Sequence, residues 1–401
     1  MSRVAHLALS AALAHLAACA TASSPQPPPR LAAIRLEALN IQKLLSETLQ
    51  TSGIPGIAAA VVRSEGPVRA AAVGVRSTNG KDPVRLDDPF HIGSCTKSMT
   101  ATLIALLVEE GRLAWDTPLA KLLPSIAPAM RAVYRHVTIQ DLLTHASGLP
   151  PVKQPTADEI AFLTGLRGSP RSQREEFARW VLQRAPVFTP GKGHAYSNAG
   201  YALLAHIAEV ATSRSYEELM RQRVFSPLGL RCFFGWPATP ERPHAPHGHW
   251  RKQGAFVPLA LDDPYRLPPA LVSAGDVSCA IASFAEFVRA HLRALRNLEA
   301  ALPSRAVQAL HRARPLAKKM PAKVENYFGE TAGIGGGWYI FNRSEKRTVS
   351  WHNGSAGTFF TWMLVLPHDD VAIVVATNAG GSEPTIARVA ARILDRLMVS
   401  R

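Results

Sequence analysis

The sequence predicts an α/β (α+β) fold: an antiparallel β-sheet flanked by N- and C-terminal helices, with an inserted all-helical lobe. Three observations predict it. Strand-like segments gather at both ends of the chain. Helical patterns and Pro-rich loops fill the middle. The chain also has 401 residues, 47% hydrophobic and 19% charged, whereas a single core stops growing near ~250–300 residues. The simplest assembly builds one sheet from both ends and lays helices on its two faces. An α/β lobe then spans about 36–115 and 330–400, and a helical lobe about 116–329. A site would form at the seam between them.

In chain order, MSRVAHLALSAALAHLAACA has a basic start at Arg3, an Ala/Leu-rich middle and a small-residue end. It reads as an export signal over residues 1–19, too short for a stable membrane span. Leu16-Ala17-Ala18-Cys19 resembles a bacterial lipobox, which would place a lipid on Cys19. Cleavage after Ala20-Thr21-Ala22 fits the small-residue rule as well. A Pro-rich linker follows over 20–35, with SSPQPPPR at its centre, a stiff tether of the kind that holds a domain off a membrane. The expected location is the bacterial envelope, periplasmic and anchored to the outer membrane.

LEALNIQKLLSETLQTSG (36–53) spaces Leu36, Leu39, Ile41, Leu44, Leu45 and Leu49 as a helix does. IPGIAAAVVR and VRAAAVGVR, split by SEGP, read as a hairpin. TATLIALLVEEGRL is helical. So are IQDLLTH, EEFARWVLQRA, YALLAHIAEVATSR, SYEELMRQRVF and SFAEFVRAHLRALRNLEAAL. GGWYIF, RTVSWHNG, TFFTWMLVL and VAIVVATN are strands, and EPTIARVAARILDRLM is a closing helix.

The net charge of +15 and pI near 10.1 fit an attraction to an acidic envelope or an Arg-rich solvated surface. Without a long basic block or a nucleic-acid motif, nucleic acid is not an expected partner. Cys19, Cys95, Cys232 and Cys279 form no CxxC pattern. The last three are expected to be buried free thiols, although a Cys232–Cys279 bond is open to an exported protein.

Three polar clusters can carry chemistry. In HIGSCTKSMT, Ser94 precedes Lys97 by three residues at a helix start. Positions i and i+3 share a face, about 5–6 Å apart. The helix N-terminus favours a developing alkoxide. A Lys packed in apolar surroundings loses basicity and can accept the serine proton. A polar start to a buried helix explains the same residues. In HAYSNAG, Tyr196 and Asn198 can shuttle a proton and hold a carbonyl, or Ser197 or Asn198 can simply cap a helix. In VSWHNGSAGTFF, His352 can bind a carboxylate or assist proton transfer. Glycine there marks close approach of a backbone or ligand, unless the segment is only a surface hairpin.

Taken together, the order and settings of S-x-x-K, Y-x-N and H-x-G resemble the serine β-lactamase and penicillin-binding group. The chain is similar to its class C β-lactamase-related family, which includes D,D-peptidases, D-aminopeptidases and carboxylesterases. The likeness spans about residues 40 to 395 and includes IQDLLTHASGLP, YSNAGYALLAHIAEVATSRSYEELMRQRVFSPLGL and SAGDVSCAIASFAEFVRA. It implies a serine hydrolase domain over 36–400 that cleaves an ester or amide bond through an acyl-Ser94 intermediate. D,D-carboxypeptidase or weak β-lactamase activity is the alternative, and an idle cell-wall-binding protein a second one.

By the same resemblance, Ser94 is the nucleophile and Lys97 takes or relays its proton. Tyr196 is the general base or its partner. Asn198 bonds Lys97 and the substrate's amide side chain, and His352, Asn353 and Gly354 also meet the substrate. The backbone N–H groups of Ser94 and Ser355 form the oxyanion hole. His352 stands where class C β-lactamases have Lys, and Asn353 replaces a Thr or Ser hydroxyl. A mostly neutral His implies weaker capture of anionic β-lactams. The expected substrate is a small-molecule or peptide ester or amide, with no cofactor or metal, a monomeric protein, and membrane contact only through the lipid anchor.

Competing readings are weaker. No G-x-S-x-G occurs. His244, His247 and His249 lie on a Pro/Gly loop without a carboxylate or Cys at useful spacing, and read as a solvated loop. His145 is expected to end a helix and bond backbone. Asp141 is expected to cap locally or face solvent, and Cys95 to sit in the core.

Overall fold

The computed structural model describes residues 39–153, 155–316, 330–344 and 347–399. The signal at 1–19, the linker at 20–35, Cys19 and the first turn of the expected helix at 36–38 lie outside the described residues. α1 (Ile41–Ser52) opens on Asn40, whose side chain accepts from Lys43 N, and closes on Gly53 in the left-handed region. It buries Ile41, Leu44 and Leu45.

Seven strands form one antiparallel sheet: β1 (Gly56–Val62), β2 (Arg69–Gly74), β8 (Glu330–Gly335), β9 (Trp338–Ser344), β10 (Arg347–Ser355), β11 (Phe360–Leu366) and β12 (Val371–Thr377). Their order is β2-β1-β12-β11-β10-β9-β8. The first strand of the chain therefore pairs with the last, Ile57 opposite Thr377. β1, β11 and β12 are buried along their whole length. Their apolar runs show no polar alternation because both faces are covered. Ile57, Ala59 and Val61 pack with α1 and the C-terminal helix Glu383–Val399; Ala58, Ala60 and Val62 pack with the helical block.

α2 (Thr96–Glu109) is buried on every side from Thr96 to Ala105, as expected of a helix at the centre of a large domain. A 3₁₀ turn, Gly93–Cys95, leads into it. Against it pack helices Val272–Gly275, Asn198–Thr212 and Ser304–Leu310, and Pro170–Val181 packs in turn on Asn198–Thr212. Arg174 is fully buried among them, donating to Glu209 at 2.6 Å and Glu217 at 2.8 Å. None of the helices described is long and apolar enough to cross a membrane.

The block between the sheet halves also contains strands that sequence patterns did not signal. β3 (Pro89–His91), β7 (Val277–Ala280) and β4 (Cys232–Phe234) form a three-stranded sheet, and β5 (His249–Lys252) pairs with β6 (Ala255–Pro258). Runs of three or four residues are too short to carry a period. They matter to the site because β3 ends just before Ser94.

The cysteine expectation is corrected here. Cys232 and Cys279 are opposite one another across β4 and β7 and form a disulfide; only Cys95 is a buried free thiol among the described residues. The missing signal was the antiparallel register of two very short strands. The His244–His249 reading also changes. His249 is buried, with Nδ1 on Asn378 O at 2.7 Å and Nε2 accepting from Thr78 N at 3.1 Å. Its ring ties the hairpin to the main sheet.

Reduction of the disulfide, which closes a loop of 47 residues, should lower the unfolding free energy by about 2–4 kcal/mol. Denaturant titration with and without dithiothreitol, with Cys232→Ser as control, checks this. An unchanged midpoint would mean that the bond does not constrain the chain.

Candidate active site

Ser94 sits on the 3₁₀ turn that β3 delivers to the start of α2. Gly93 takes φ +51° and presses against β10: a Cβ there would lie 2.7 Å from Ser355 N. Gly354 is pressed the other way, where a Cβ would lie 2.8 Å from Ser94 N and 2.9 Å from Cys95 N. Glycine at both positions lets two backbones meet. That contact brings the Ser94 and Ser355 amides to one place.

Lys97 lies one turn along α2, fully buried. Its Nζ donates to Ala274 O at 2.6 Å and to Asn198 Oδ1 at 2.8 Å, and stands 3.4 Å from Ser94 Oγ. No carboxylate is among these partners. Burial drives the amine's pKa well below its ordinary value, with Lys153 adding to the fall and Cys95 opposing it.

Tyr196 comes from the loop before helix Asn198–Thr212, which Ser197 caps by accepting from Gly200 N. Its ring lies 4.6 Å from Lys97 Nζ. Burial holds the phenol pKa well above its usual value, Tyr339 adds to the rise, and a hydrogen bond with Ser94 opposes it. His145 packs beneath the Tyr196 ring at 4.6 Å, in the left-handed region, and accepts from Ser197 N at 3.1 Å. This is the backbone-bonding role expected of it. Asn198 is fully engaged at both ends of its amide, donating from Nδ2 to Val152 O at 3.0 Å while accepting from Lys97. The bond to Lys97 is one of the two contacts that the resemblance implies for it.

Ser94, Tyr196, Asn198, Asn353 and Ser355 line one cleft of about 660 Å³. His352 departs from expectation. It faces the helical side of β10, is 2% exposed, and does not line the cleft. Its Nδ1 meets Asn353 O at 2.5 Å, and burial, reinforced by Lys97, lowers its pKa to about 3. An uncharged ring behind the wall offers no cation to a substrate carboxylate. Its centroid is 6.4 Å from that of Tyr196 and 5.7 Å from that of Tyr339. Gly354 likewise acts through close packing rather than as a ligand. Cys95 is core, as expected, and burial raises its thiol pKa. Asp141 caps its helix with Thr138, as expected.

The cleft also holds residues that the sequence did not single out: Lys153, Trp236, Tyr265, Tyr339 and Glu383. Lys153 lies 5.5 Å from the Tyr196 ring centre. It follows LTHASGLPPV, three residues past a segment that carries the resemblance, but nothing in its own spacing marks it. Among the described residues no group of three or more His, Cys, Asp or Glu side chains is placed to hold a metal ion.

The family model described as Beta-lactamase matches residues 41–397. The chain belongs to the β-lactamase family. Penicillin-binding protein 4 of Amycolatopsis lactamdurans is 30% identical over 331 residues, 82% of this chain and 81% of its own. Esterase EstB of Burkholderia gladioli is 29% identical over 237 residues, covering 58% and 59%. An octameric penicillin-binding protein homologue from Pyrococcus abyssi superposes with a TM-score of 0.71 at 25% identity, over 89% of this chain and 78% of that one. This β-lactamase-family chain is accordingly a serine hydrolase.

The buried amine gives a direct test. In ¹³Cε-lysine-labelled protein, one lysine should lose its proton far below the others as pH rises, and its signal should vanish in Lys97→Met. A titration in which every lysine keeps an ordinary midpoint would contradict the burial argument.

Proposed function

We propose that this hydrolase cleaves an ester or amide through acyl-Ser94, with Lys97 as the proton acceptor, and that it favours substrates without a negative charge against the β10 wall. The observation that carries the reading is the set of partners around Lys97 Nζ. A neutral amine has two N–H donors and one lone pair. Asn198 Oδ1 and Ala274 O are acceptors and take the donors. The lone pair is left for the Ser94 hydroxyl.

As Ser94 Oγ bonds to the substrate carbonyl carbon, its proton passes to Lys97. The carbonyl oxygen becomes an oxyanion beside the Ser94 and Ser355 N–H groups, each such donor contributing about 3–4 kcal/mol. The phenol of Tyr196, kept protonated by burial, gives its proton to the leaving oxygen or nitrogen and recovers one from Lys97. Water then attacks the acyl carbon, passes a proton back through the same pair, and releases Ser94 and the carboxylic acid.

The charge preference rests on two side chains. His352 supplies no cation. Glu383, at the start of the C-terminal helix, lines the cleft with a carboxylate. Both disfavour an anionic β-lactam there. A second reading, a carboxypeptidase, is favoured by Lys153, a cation on the cleft that can hold a terminal carboxylate, and by the likeness to the D-alanyl-D-alanine-carboxypeptidase/endopeptidase AmpH of Escherichia coli, 24% identical over 82% of this chain. We also propose export and lipid attachment at Cys19, supported by the pattern of residues 1–22; the mass of the mature N-terminus from wild type and Cys19→Ser tests it.

A fluorophosphonate should add one adduct, mapped to Ser94, and Ser94→Ala should lose both adduct and turnover. With p-nitrophenyl butyrate, a D-Ala-D-Ala peptide and nitrocefin side by side, kcat/KM for the ester should exceed that for nitrocefin by about tenfold or more, a difference of about 1.4 kcal/mol in transition-state binding. The opposite ranking would overturn the charge argument. Turnover of the peptide that falls in Lys153→Ala, with the ester unaffected, would favour the second reading.

A further inference from the structure

We propose that His91 and Asp276 act as a pair of positioning residues that hold the nucleophile turn in register with the acceptor of the Lys97 amine. This rests on the reading of Ser94 as the nucleophile, and adds two residues that touch neither substrate nor Ser94 Oγ.

His91 ends β3, three residues before Ser94, and is fully buried. Gly93 N donates to His91 Nδ1 at 3.1 Å. The Nδ1 lone pair is therefore taken, and the ring carries its proton on Nε2. Nε2 meets Asp276 Oδ1 at 3.2 Å. The chain Asp276–His91–Gly93 thus runs from a buried carboxylate, through an oriented imidazole, to the amide beside the nucleophile. Trp236 lies across the ring at 4.2 Å between centroids, and His91 O accepts from Thr361 Oγ1 at 3.5 Å. These contacts fix the ring plane.

The other end of the pair explains why this matters. Asp276 is two residues from Ala274, whose carbonyl binds Lys97 Nζ at 2.6 Å. Between them Gly275 faces the Gly93 backbone, where a Cβ would lie 3.7 Å from Gly93 C. Val277 closes the segment, accepting from Ile92 N at 2.9 Å and donating to Thr96 Oγ1 at 3.1 Å. Segment 274–277 therefore touches both halves of the proton-transfer pair: Lys97 directly, and Ser94 through Gly93. Beside the Thr96–Val277 bond, Asp276 keeps the His91 proton on Nε2, so that Nδ1 stays an acceptor for the Gly93 amide. Apolar packing would hold the two strands together, but it would not aim the Gly93 amide. Gly93 at φ +51° lies against Ser355 N. A shift in its amide therefore moves both the Ser94 hydroxyl and the two oxyanion donors. A misplacement of about 1 Å can cost on the order of 100-fold in rate.

Asp276 has no guanidinium or ammonium in contact among the described residues. Burial raises its carboxyl pKa; His91 opposes this most, Arg266 acts from farther away in the same sense, and Glu217 acts against it. A buried carboxylate held by one neutral imidazole is an expensive arrangement for a purely structural purpose, which favours a role in orientation.

The test compares His91→Phe, His91→Asn and Asp276→Leu with wild type, reading fluorophosphonate inactivation rate, kcat and KM for p-nitrophenyl butyrate, and melting temperature. The Asn side-chain oxygen can take the place of Nδ1 and still accept from Gly93 N–H, whereas Phe cannot. Expected for His91→Phe and Asp276→Leu is a fall of about tenfold or more in kcat and inactivation rate with KM changed by less than about threefold, and for His91→Asn recovery of most of that loss. Equal rates for His91→Phe and wild type in a folded sample would overturn the proposal. So would equal losses in His91→Phe and His91→Asn, which would mark a packing role. If His91→Phe does not fold, His91→Asn against Asp276→Leu decides, since the proposal requires the second to be slower. Should wild type itself form no Ser94 adduct, the nucleophile assignment fails instead, a result separate from either of these.

Discussion

The burial of one amine, Lys97, without a carboxylate partner is the constraint on which the rest of the site depends. The same protein buries a second cation under different terms. Arg174 is also fully enclosed, but Glu209 and Glu217 grip its guanidinium at 2.6 and 2.8 Å, so it stays charged. Lys97 is given two neutral carbonyl oxygens and a hydroxyl. An ammonium there would face the desolvation cost of a buried ion with no counter-charge to offset it. The amine's cheaper state is neutral, and a neutral amine can act as a base. The chemistry of the site is therefore set by the carboxylates that the fold leaves out as much as by the groups it brings in.

That environment needs a helix buried on all sides, and α2 supplies it. A helix so placed cannot reach solvent at its middle, so the reactive end must open at its N-terminus, where β10 crosses. Two glycines, Gly93 and Gly354, permit the crossing. The pairing of the first strand of the chain with the last gives β10 a rigid backing: β1 with β12, β12 with β11, and β11 with β10. The long-range register of the sheet thus sets where the Ser355 amide lies against the Ser94 turn, because no side chain intervenes between strand and turn.

Much of this frame was legible in the sequence. α1 and the closing helix lie where their period puts them, and the first hairpin and β9 to β12 where long apolar or alternating runs between turn residues put them. β3, β4 and β7 carry no such signal, and their pairing joins three- and four-residue runs distant in the chain, Phe90 with Cys279 and Cys232 with Cys279. The Cys232–Cys279 bond was hidden for the same reason. Ser94, Lys97 and Tyr196 were legible through the resemblance and come together at one site, Ser94 and Tyr196 on the cleft and Lys97 buried behind them. His352 was assigned a substrate contact by its place at the head of the H-x-G motif. Its placement follows from strand parity: it faces the helices, and Asn353, one residue on, lines the cleft. Lys153 and Glu383 had no pattern to betray them, since a single charge on a loop or at a helix start looks the same whether or not a cleft lies beside it.

His352 and Tyr196 complete the electrostatic logic. Four buried titratable groups beside the Lys97–Tyr196 pair are driven toward their uncharged forms by burial: His145 and His352 downward, Tyr201 and Tyr339 upward. A lysine in place of His352 would put a second cation near Lys97 and depress the first amine further, or be depressed by it. A neutral imidazole does neither. It keeps the pocket floor free of fixed charge, so the proton that leaves Ser94 has two nearby stations, the amine and the phenol, and little electrostatic reason to go elsewhere. The charges that remain, on Lys153 and Glu383, sit on the cleft wall, where they can act on a substrate without occupying the proton path.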